Sequence, residues 1–299
     1  MELNSSYIYP EIDYENIIKK IMEETDIIIP LDKKKINICL SGGGITSIYA
    51  SGILTILYNL IQQNKISINH IYTVSGGSFL GLYFLLLINN ECIEEKYKLN
   101  LSKLIYLINN TLRAQYNKEP YLALNLLETL QEYIPLNFYK TCNDKLFTSI
   151  HILDGFSIQK KMISTYYSNE HLINTIVCSS SIPYISIPTC FSIYTDPLTN
   201  KKYYALDGIY TPIIDDTNYT LYINIMNYSY PLINRMRIKD KIYDTLMLEG
   251  VYDFINFYKN NKSTNHIYYC KSTFITNYLI IYLLYIMLVQ LQIIVLIFM

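Results

Sequence analysis

Short apolar runs alternate with glycine-containing turns and longer apolar stretches in the first third of the chain. Strand-length runs occur at Ile36–Leu40 and Ile68–Thr73. Each is followed by a turn and then by a helix-length stretch, about Thr46–Gln63 and Phe79–Ile88. Two strand–helix units in succession predict an α/β protein with a mostly parallel sheet and helices on both faces.

Outside these units the pattern is weaker but still predicts regular structure. A polar lead-in contains one predicted helix, Asp13–Glu24, and further strands are predicted at Phe147–Leu153 and Leu221–Met226. Leucines and isoleucines recur three and four residues apart between residues 96 and 134, which predicts two helices there.

Two serine–glycine turns follow the first two strands, and seven of the ten glycines lie between Gly42 and Gly81. In the first turn, Gly42, Gly43 and Gly44 precede a predicted helix, where successive N–H groups form an anion site. The second turn, Thr73 to Gly77, resembles the G-x-S-x-G nucleophile turn, with threonine at the first glycine position. The pair predicts a nucleophilic Ser75 beside an oxyanion hole, and an ordinary glycine-rich turn is the alternative.

Two other uses of the first turn are excluded by its sequence. A phosphate-binding loop needs Gly-Lys-Ser/Thr, and Ile45-Thr46 stands there instead. A dinucleotide fold needs a third glycine, where Ser47 stands, and an acidic residue about 20 positions further on. No Asp or Glu occurs between Asp32 and Glu91.

The base that would activate Ser75 is better sought among the carboxylates than among the four histidines, which are His70, His151, His171 and His266. His70 lies five residues before Ser75, about 16 Å down an extended strand. None of the others stands in a context that marks a catalytic base. Asp207 follows a short apolar run and would end a strand, where ligands of open α/β sheets bind. A simple Asp-Gly turn is the alternative, and Asp154-Gly155 is predicted to be one.

Four motifs, in order between residues 36 and 212, together resemble those of the patatin-like phospholipases, lipid acyl hydrolases with a Ser–Asp dyad. The segments are the oxyanion loop Gly42-Gly43-Gly44-Ile45-Thr46-Ser47, the nucleophile turn Thr73–Gly77, the A-S-x-A-x-P-like Cys178-Ser179-Ser180-Ser181-Ile182-Pro183, and Asp207-Gly208-Ile209. A hairpin, Ile185–Tyr194 with Lys202–Leu206, is predicted between the last two. Thr46, Thr73 and Ile209 depart from the family pattern, and none of them removes a proposed catalytic group.

The resemblance implies a three-layer α/β/α sandwich that hydrolyses carboxylic esters of membrane lipids. Ser75 corresponds to the nucleophile and Asp207 to the base. The oxyanion would be held by N–H groups of Gly42, Gly43, Gly44 and Gly76. No cofactor or metal is implied. Two alternatives stay open: a catalytically weak lipid-binding or scaffolding protein on the same fold, and a lipid acyltransferase.

Composition restricts the remaining possibilities. The net charge is −1, so the chain lacks the excess of basic residues that is typical of nucleic-acid-binding proteins. The six cysteines form no C-x-x-C pair, so neither a zinc site nor a disulfide framework is predicted, and a reducing compartment is favoured. Cys39 and Cys178 are expected to be buried thiols in strand-like runs. Residues 1–14 carry acidic groups and no apolar core, unlike a secretory signal.

The final 22 residues, Tyr278–Met299, carry no charge and are long enough to span a bilayer. Lysines precede this segment and no charge follows it, so the positive-inside rule predicts a tail anchor with the catalytic domain on the cytosolic side. A buried helix is the alternative. The predicted organisation is a lead-in of residues 1–35, an acyl hydrolase domain of residues 36–265 and a membrane tail helix of residues 278–299. The sequence predicts no oligomeric state.

Overall fold

The computed structural model describes residues 14–23, 35–43, 47–89, 134–155, 157–182, 186–208, 219–224, 241–260, 264 and 266–270. Its helices are α1 (Tyr14–Glu23), α2 (Ile48–Gln62), α3 (Gly76–Ile88), α4 (Tyr139–Cys142), α5 (Asn169–Ser179) and α6 (Lys241–Asn260). Its strands are β1 (Lys35–Leu40), β2 (Ser67–Thr73), β3 (Leu146–Asp154), β4 (Ser157–Ile163), β5 (Ser192–Thr195), β6 (Lys202–Asp207), β7 (Tyr219–Ile223) and β8 (Ile267–Cys270).

All eight strands belong to one mixed sheet, in the order β5-β6-β3-β2-β1-β7-β8 with β4 also paired to β3. Strands β7, β1, β2 and β3 run parallel, whereas β4 and β6 pair antiparallel with β3, β5 with β6, and β8 with β7. The expectation of a mostly parallel sheet was therefore wrong. Short hairpin turns, at Asp154-Gly155 and near Asp196–Asn200, can join only antiparallel strands.

Strands β2 and β6 meet end to end along one edge of β3. Thr148 of β3 pairs with Thr73 of β2 and with β4, and Ile150 pairs with Asp207 of β6 and with β4. Because a strand has only two edges and β4 occupies one, β2 and β6 share the other. Their carboxyl ends approach each other from opposite directions, with partners two residues, or about 7 Å, apart along β3.

Helices α2 and α3 supply much of the core that supports these strand ends. Helix α3 is apolar around its whole circumference, and all its residues from Gly77 to Leu87 are buried. A helix of this kind needs packing partners on every side. It contacts β1, β2, β3 and α5, while α2 packs mainly against α6. The carboxyl ends of β1 and β2 are therefore attached to well-packed elements.

Several local predictions are confirmed. The helix predicted at Asp13–Glu24 is α1, the first two strands and helices are β1, α2, β2 and α3, and the later strands include β3 and β7. The predicted hairpin is β5 and β6, although its first strand begins at Ser192 and is much shorter than the predicted Ile185–Tyr194. The Asp154-Gly155 turn joins β3 to β4, with Gly155 at φ 61°. Cys39 and Cys178 are both buried.

Other predictions were wrong or are untested. Cys178 lies in helix α5 rather than in a strand-like run, and burial raises the pKa of its thiol to about 12. The helices predicted between residues 96 and 134 fall almost wholly outside the described residues, as does the tail, Tyr278–Met299. Among the helices that are described, none has both the length and the apolar character needed to cross a bilayer. The domain limits stay predictions.

Candidate active site

Ser75 lies on a strained turn between β2 and α3. Its backbone has φ 54° and ψ −135°, a conformation that non-glycine residues adopt at a cost of about 1–3 kcal/mol. It occupies the N-cap position of α3, yet its side chain makes no capping hydrogen bond. The side chain of a serine on such a turn is available for nucleophilic chemistry. The positive end of the α3 dipole also lies beside it, which favours negative charge there.

The first glycine turn lies directly against Ser75. A Cβ built on Gly42 would be 2.7 Å from Ser75 Cβ and 3.3 Å from Ser75 Oγ, so only glycine leaves room for the serine at this point. The Val74 N–H donates to Leu40 O at 3.3 Å, which continues the β1–β2 pairing up to the two turns. The structure thus brings Gly42, Gly43 and Gly76 to one end of the sheet, and Gly44 lies outside the described residues.

Asp207 is the last residue of β6 and is 2% exposed. Its peptide N–H donates to Ser181 O at 3.0 Å. A Cβ built on the next residue, Gly208, would be 2.1 Å from Ser149 O and 2.8 Å from Val74 Cγ2. The absence of a side chain at Gly208 therefore lets the end of β6 lie against the residue that precedes Ser75.

The side chain of Asp207 is on the face of the sheet that α3 covers. Thr73 points to that face, because a Cβ built on Gly81 of α3 would be 2.5 Å from Thr73 Cγ2. Thr73 Oγ1 lies 3.3 Å from Thr148 Oγ1, its partner on β3. Side chains alternate along a strand, so Ile150 shares the face of Thr148, and Asp207 pairs with Ile150. Ser75, which begins α3, and Asp207 are therefore on the same side of the sheet.

His151 is the histidine nearest to Asp207 in the fold, but its ring is on the other face. It follows Ile150 on β3 and pairs with Leu206. Its Nδ1–H donates to the backbone carbonyl of Asp207 at 2.9 Å. Burial lowers the pKa of His151, an effect that Lys160 reinforces and this hydrogen bond opposes. His151 therefore contacts the backbone of Asp207 from behind the sheet.

The other three histidines have structural contacts away from Ser75. His70 stacks edge-on against Tyr72 and Phe147. His171 Nε2 lies 3.0 Å from Tyr194 Oη, and burial lowers its pKa. His266 Nδ1–H donates to Asn224 O at 3.2 Å. In the described part of the chain, no three His, Cys, Asp or Glu side chains are placed to hold a metal ion.

Sequence reasoning assigned no role to two residues that contact Ser75. The Ser75 N–H donates to Ser179 Oγ at 3.1 Å, and Ser180 Oγ donates to Ser75 O at 2.8 Å. Both serines are buried at the carboxyl end of α5. The only signal in the sequence was their position in the A-S-x-A-x-P-like segment, which does not reveal what they contact.

The structure is a mixed α/β sheet with a serine on a strained strand-to-helix turn at the carboxyl end of β2. This arrangement is typical of the nucleophile turn of α/β hydrolases. The family model described as Patatin-like phospholipase matches residues 38–212, more than half of the chain. The chain belongs to this family, which is one of lipid hydrolases.

Other comparisons add little. No curated protein sequence matches the chain significantly. Among solved structures, the crystal structure of VipD from Legionella pneumophila matches at 15% identity and a TM-score of 0.27. That match covers 60% of this chain and 46% of the VipD chain. A likeness at this TM-score carries no argument about function.

Proposed function

We propose that the protein hydrolyses carboxylic esters of membrane lipids with Ser75 as the nucleophile and Asp207 as the general base. The observation that carries the proposal is the meeting of β2 and β6 on one edge of β3. It puts the strained serine turn and a buried carboxylate at adjacent strand ends and on one face of the sheet. A nucleophile and its base need this kind of proximity.

In the proposed reaction, Ser75 Oγ attacks the ester carbonyl carbon and its proton passes to the Asp207 carboxylate. Backbone N–H groups of Gly42, Gly43, Gly44 and Gly76 hold the oxyanion. Collapse of the tetrahedral intermediate breaks the bond to the alcohol, which leaves with the proton from Asp207. Water then attacks the acyl-serine, Asp207 accepts its proton, and the proton returns to Ser75 as the fatty acid leaves.

Two features of the site support this scheme. The dipole of α3 stabilises negative charge that develops beside Ser75. The Ser75 turn is also closed on three sides, by Gly42, by α3 and by the end of α5, which leaves the serine 7% exposed. Hydrogen bonds to a developing oxyanion are stronger where water is excluded.

The direct test is release of fatty acid from phospholipid vesicles and from a soluble ester. Wild-type protein should hydrolyse both substrates, and Ser75→Ala should reduce hydrolysis of both to the uncatalysed level. Four matched controls, His70→Gln, His151→Gln, His171→Gln and His266→Gln, should retain most of the activity. A histidine variant as inactive as Ser75→Ala would show that the catalytic set is a triad that includes this histidine, and would contradict the proposed dyad. Acyl transfer to an added alcohol in preference to water would make the protein an acyltransferase.

We also propose that Tyr278–Met299 attaches the protein to membranes with its catalytic domain on the cytosolic side. Deleting this segment should move the protein from the membrane pellet to the soluble fraction. Activity on a soluble ester should persist, because every proposed catalytic group precedes residue 212. Aggregation with loss of both activities would instead identify the segment as part of the core, since a folded domain is stable by only about 5–15 kcal/mol.

A further inference from the structure

Three consecutive serines, Ser179, Ser180 and Ser181, together contact both proposed catalytic residues: the first two contact Ser75 and the third contacts Asp207. We call this tripeptide the serine bracket. Ser179 is the last residue of α5, and Ser180 is its C-cap. All three are buried, with exposed fractions of 0%, 4% and 0%. A run of three polar side chains is costly to bury unless each is hydrogen-bonded.

The hydroxyl of Ser179 is an acceptor for the nucleophile turn. It donates to the backbone carbonyl of Ser149 at 2.7 Å, and a carbonyl can only accept. Its one proton is thereby used, so its lone pairs accept the Ser75 N–H at 3.1 Å and the Ser78 hydroxyl at 2.9 Å. One oxygen on α5 therefore binds the first turn of α3 to strand β3.

The hydroxyl of Ser180 holds the other side of the nucleophile. It donates to Ser75 O at 2.8 Å, and the same carbonyl accepts the Ser78 N–H at 2.9 Å. The backbone carbonyl of Ser180 in turn accepts a hydrogen bond from Ser186 Oγ at 2.6 Å. Adjacent side chains of the bracket thus bond the N–H and the C=O of Ser75, whose backbone conformation is strained.

The backbone of the bracket holds the base strand. The Asp207 N–H donates to Ser181 O at 3.0 Å, and the Gly208 N–H donates to Ser179 O at 3.2 Å. The bracket therefore binds Ser75 through side chains and Asp207 through the main chain. The tripeptide therefore links the nucleophile turn directly to the end of the base strand.

We propose that Ser179 and Ser180 are positioning residues that set the geometry of the Ser75–Asp207 dyad. The inference rests on the proposed function and deepens it. Strained residues persist where their surroundings fix them from several sides, and here two hydroxyls fix both peptide groups of Ser75. The same contacts commit the Ser75 N–H to Ser179. The oxyanion donors are consequently the glycine turn and Gly76, and the N–H of the nucleophile itself is not among them.

The test compares Ser179→Ala and Ser180→Ala with Ser51→Ala, using a soluble ester and active-site titration with a fluorophosphonate. Ser51 is a matched control because it is 5% exposed and its hydroxyl donates to Ile48 O at 2.6 Å inside α2. Each bracket variant should lower kcat per titrated site by roughly 10- to 100-fold, the effect of displacing a reacting group by about 1 Å. KM should stay unchanged, because neither hydroxyl is expected to contact the substrate.

A merely structural role makes a different prediction. It reduces the fraction of folded protein but leaves kcat per titrated site as in Ser51→Ala, and this result would overturn the inference. If Ser179→Ala does not fold, Ser180→Ala, which removes one hydroxyl donor, still distinguishes a positioning role from a merely structural one. The failure of the proposed function gives a different result, because Ser75→Ala would then retain activity. If Ser75→Ala is inactive and both bracket variants resemble Ser51→Ala, only the positioning role of Ser179 and Ser180 is wrong.

Discussion

The two proposed catalytic residues share contacts with the end of α5 but differ in what forms the backbone around them. Ser75 lies on a turn that nearby sequence forms: β2 ends two residues before it, α3 begins at the next residue, and its left-handed backbone conformation lies between them. Ser179 and Ser180 then hold that turn from the end of α5. Asp207 is positioned by contacts distant in sequence, through antiparallel pairing of β6 with β3 and hydrogen bonds to the end of α5. The serine thus lies on a local turn, whereas the position of the aspartate depends on the register of β6 against β3.

This difference has consequences for substitution. At Ser75 the local geometry is strained, so its neighbours must be small and closely packed, as Gly42 is. At Asp207 the backbone is an ordinary strand end and the side chain is buried, so asparagine, which has the same size, is expected to change the chemistry with little disturbance of the fold. An isosteric substitution at the aspartate is therefore expected to act mainly on the rate, whereas substitutions around the serine are expected to act on the rate through packing.

The largest effect is expected from Asp207→Asn. The amide keeps the size of the side chain but cannot accept the serine proton, so kcat should fall by roughly 10²–10⁴-fold with little change in thermal stability. Asp154→Asn is the control, since Asp154 begins the other Asp-Gly turn and its carboxylate forms an exposed ion pair with Lys201 at 3.0 Å. Steady-state kinetics on a soluble ester measure both. Equal activity of the two variants would exclude Asp207 as the base.

A smaller effect is expected from Gly42→Ala. The added methyl would lie 2.7 Å from Ser75 Cβ, and overpacking of about 1–3 kcal/mol should displace the serine and lower kcat by about 10- to 100-fold. Gly155→Ala is the contrasting variant, because its Cβ would meet nothing within 4 Å while its φ is 61°. It should lose about 1–2 kcal/mol of stability and keep its kcat. A reversed pattern, with activity lost only at Gly155, would contradict the packing of the glycine turn on Ser75.

The smallest effect concerns stability against acid, through His151 behind Asp207. Burial lowers its pKa from the ordinary 6.5, so the folded state binds its proton less readily than the unfolded state. Its contribution to stability is therefore complete above pH 6.5 and is lost as the pH falls below that value. Denaturant unfolding between pH 7 and pH 5 should show a shallower loss in His151→Gln than in wild type. An unchanged slope would mean that His151 is protonated equally in both states.

The sequence predicted the serine half of the site better than the aspartate half. Strands β1 and β2 are short runs rich in apolar residues that lead into glycine turns, and α3 is an almost wholly apolar helix that follows such a turn, so local pattern determines them. Asp207 was identified at a strand end, but the antiparallel pairing of β6 with β3 was not, because that pairing joins residues distant in the chain. The signal for Asp207 came from the order of the motifs.

The elements that were missed have physical reasons in common. Strand β4, Ser157–Ile163, is polar and partly exposed at the edge of β3, so it lacks the apolar run that predicts a strand. Helix α5 has a mixed composition, and Cys178 near its end was placed in a strand-like run. The contacts of Ser179 and Ser180 with Ser75 join residues about one hundred positions apart, which no local pattern encodes.

The rate of covalent labelling at Ser75 tests the dyad most directly. Wild-type protein and Asp207→Asn are treated with a fluorophosphonate, and the modified peptide is identified by mass spectrometry at successive times. The adduct should form on Ser75 in both proteins and at least about 10²-fold more slowly in Asp207→Asn, because the serine then lacks its base. An adduct on Ser41, Ser78 or Ser180, or equal rates of labelling in the two proteins, would contradict the pairing of Ser75 with Asp207.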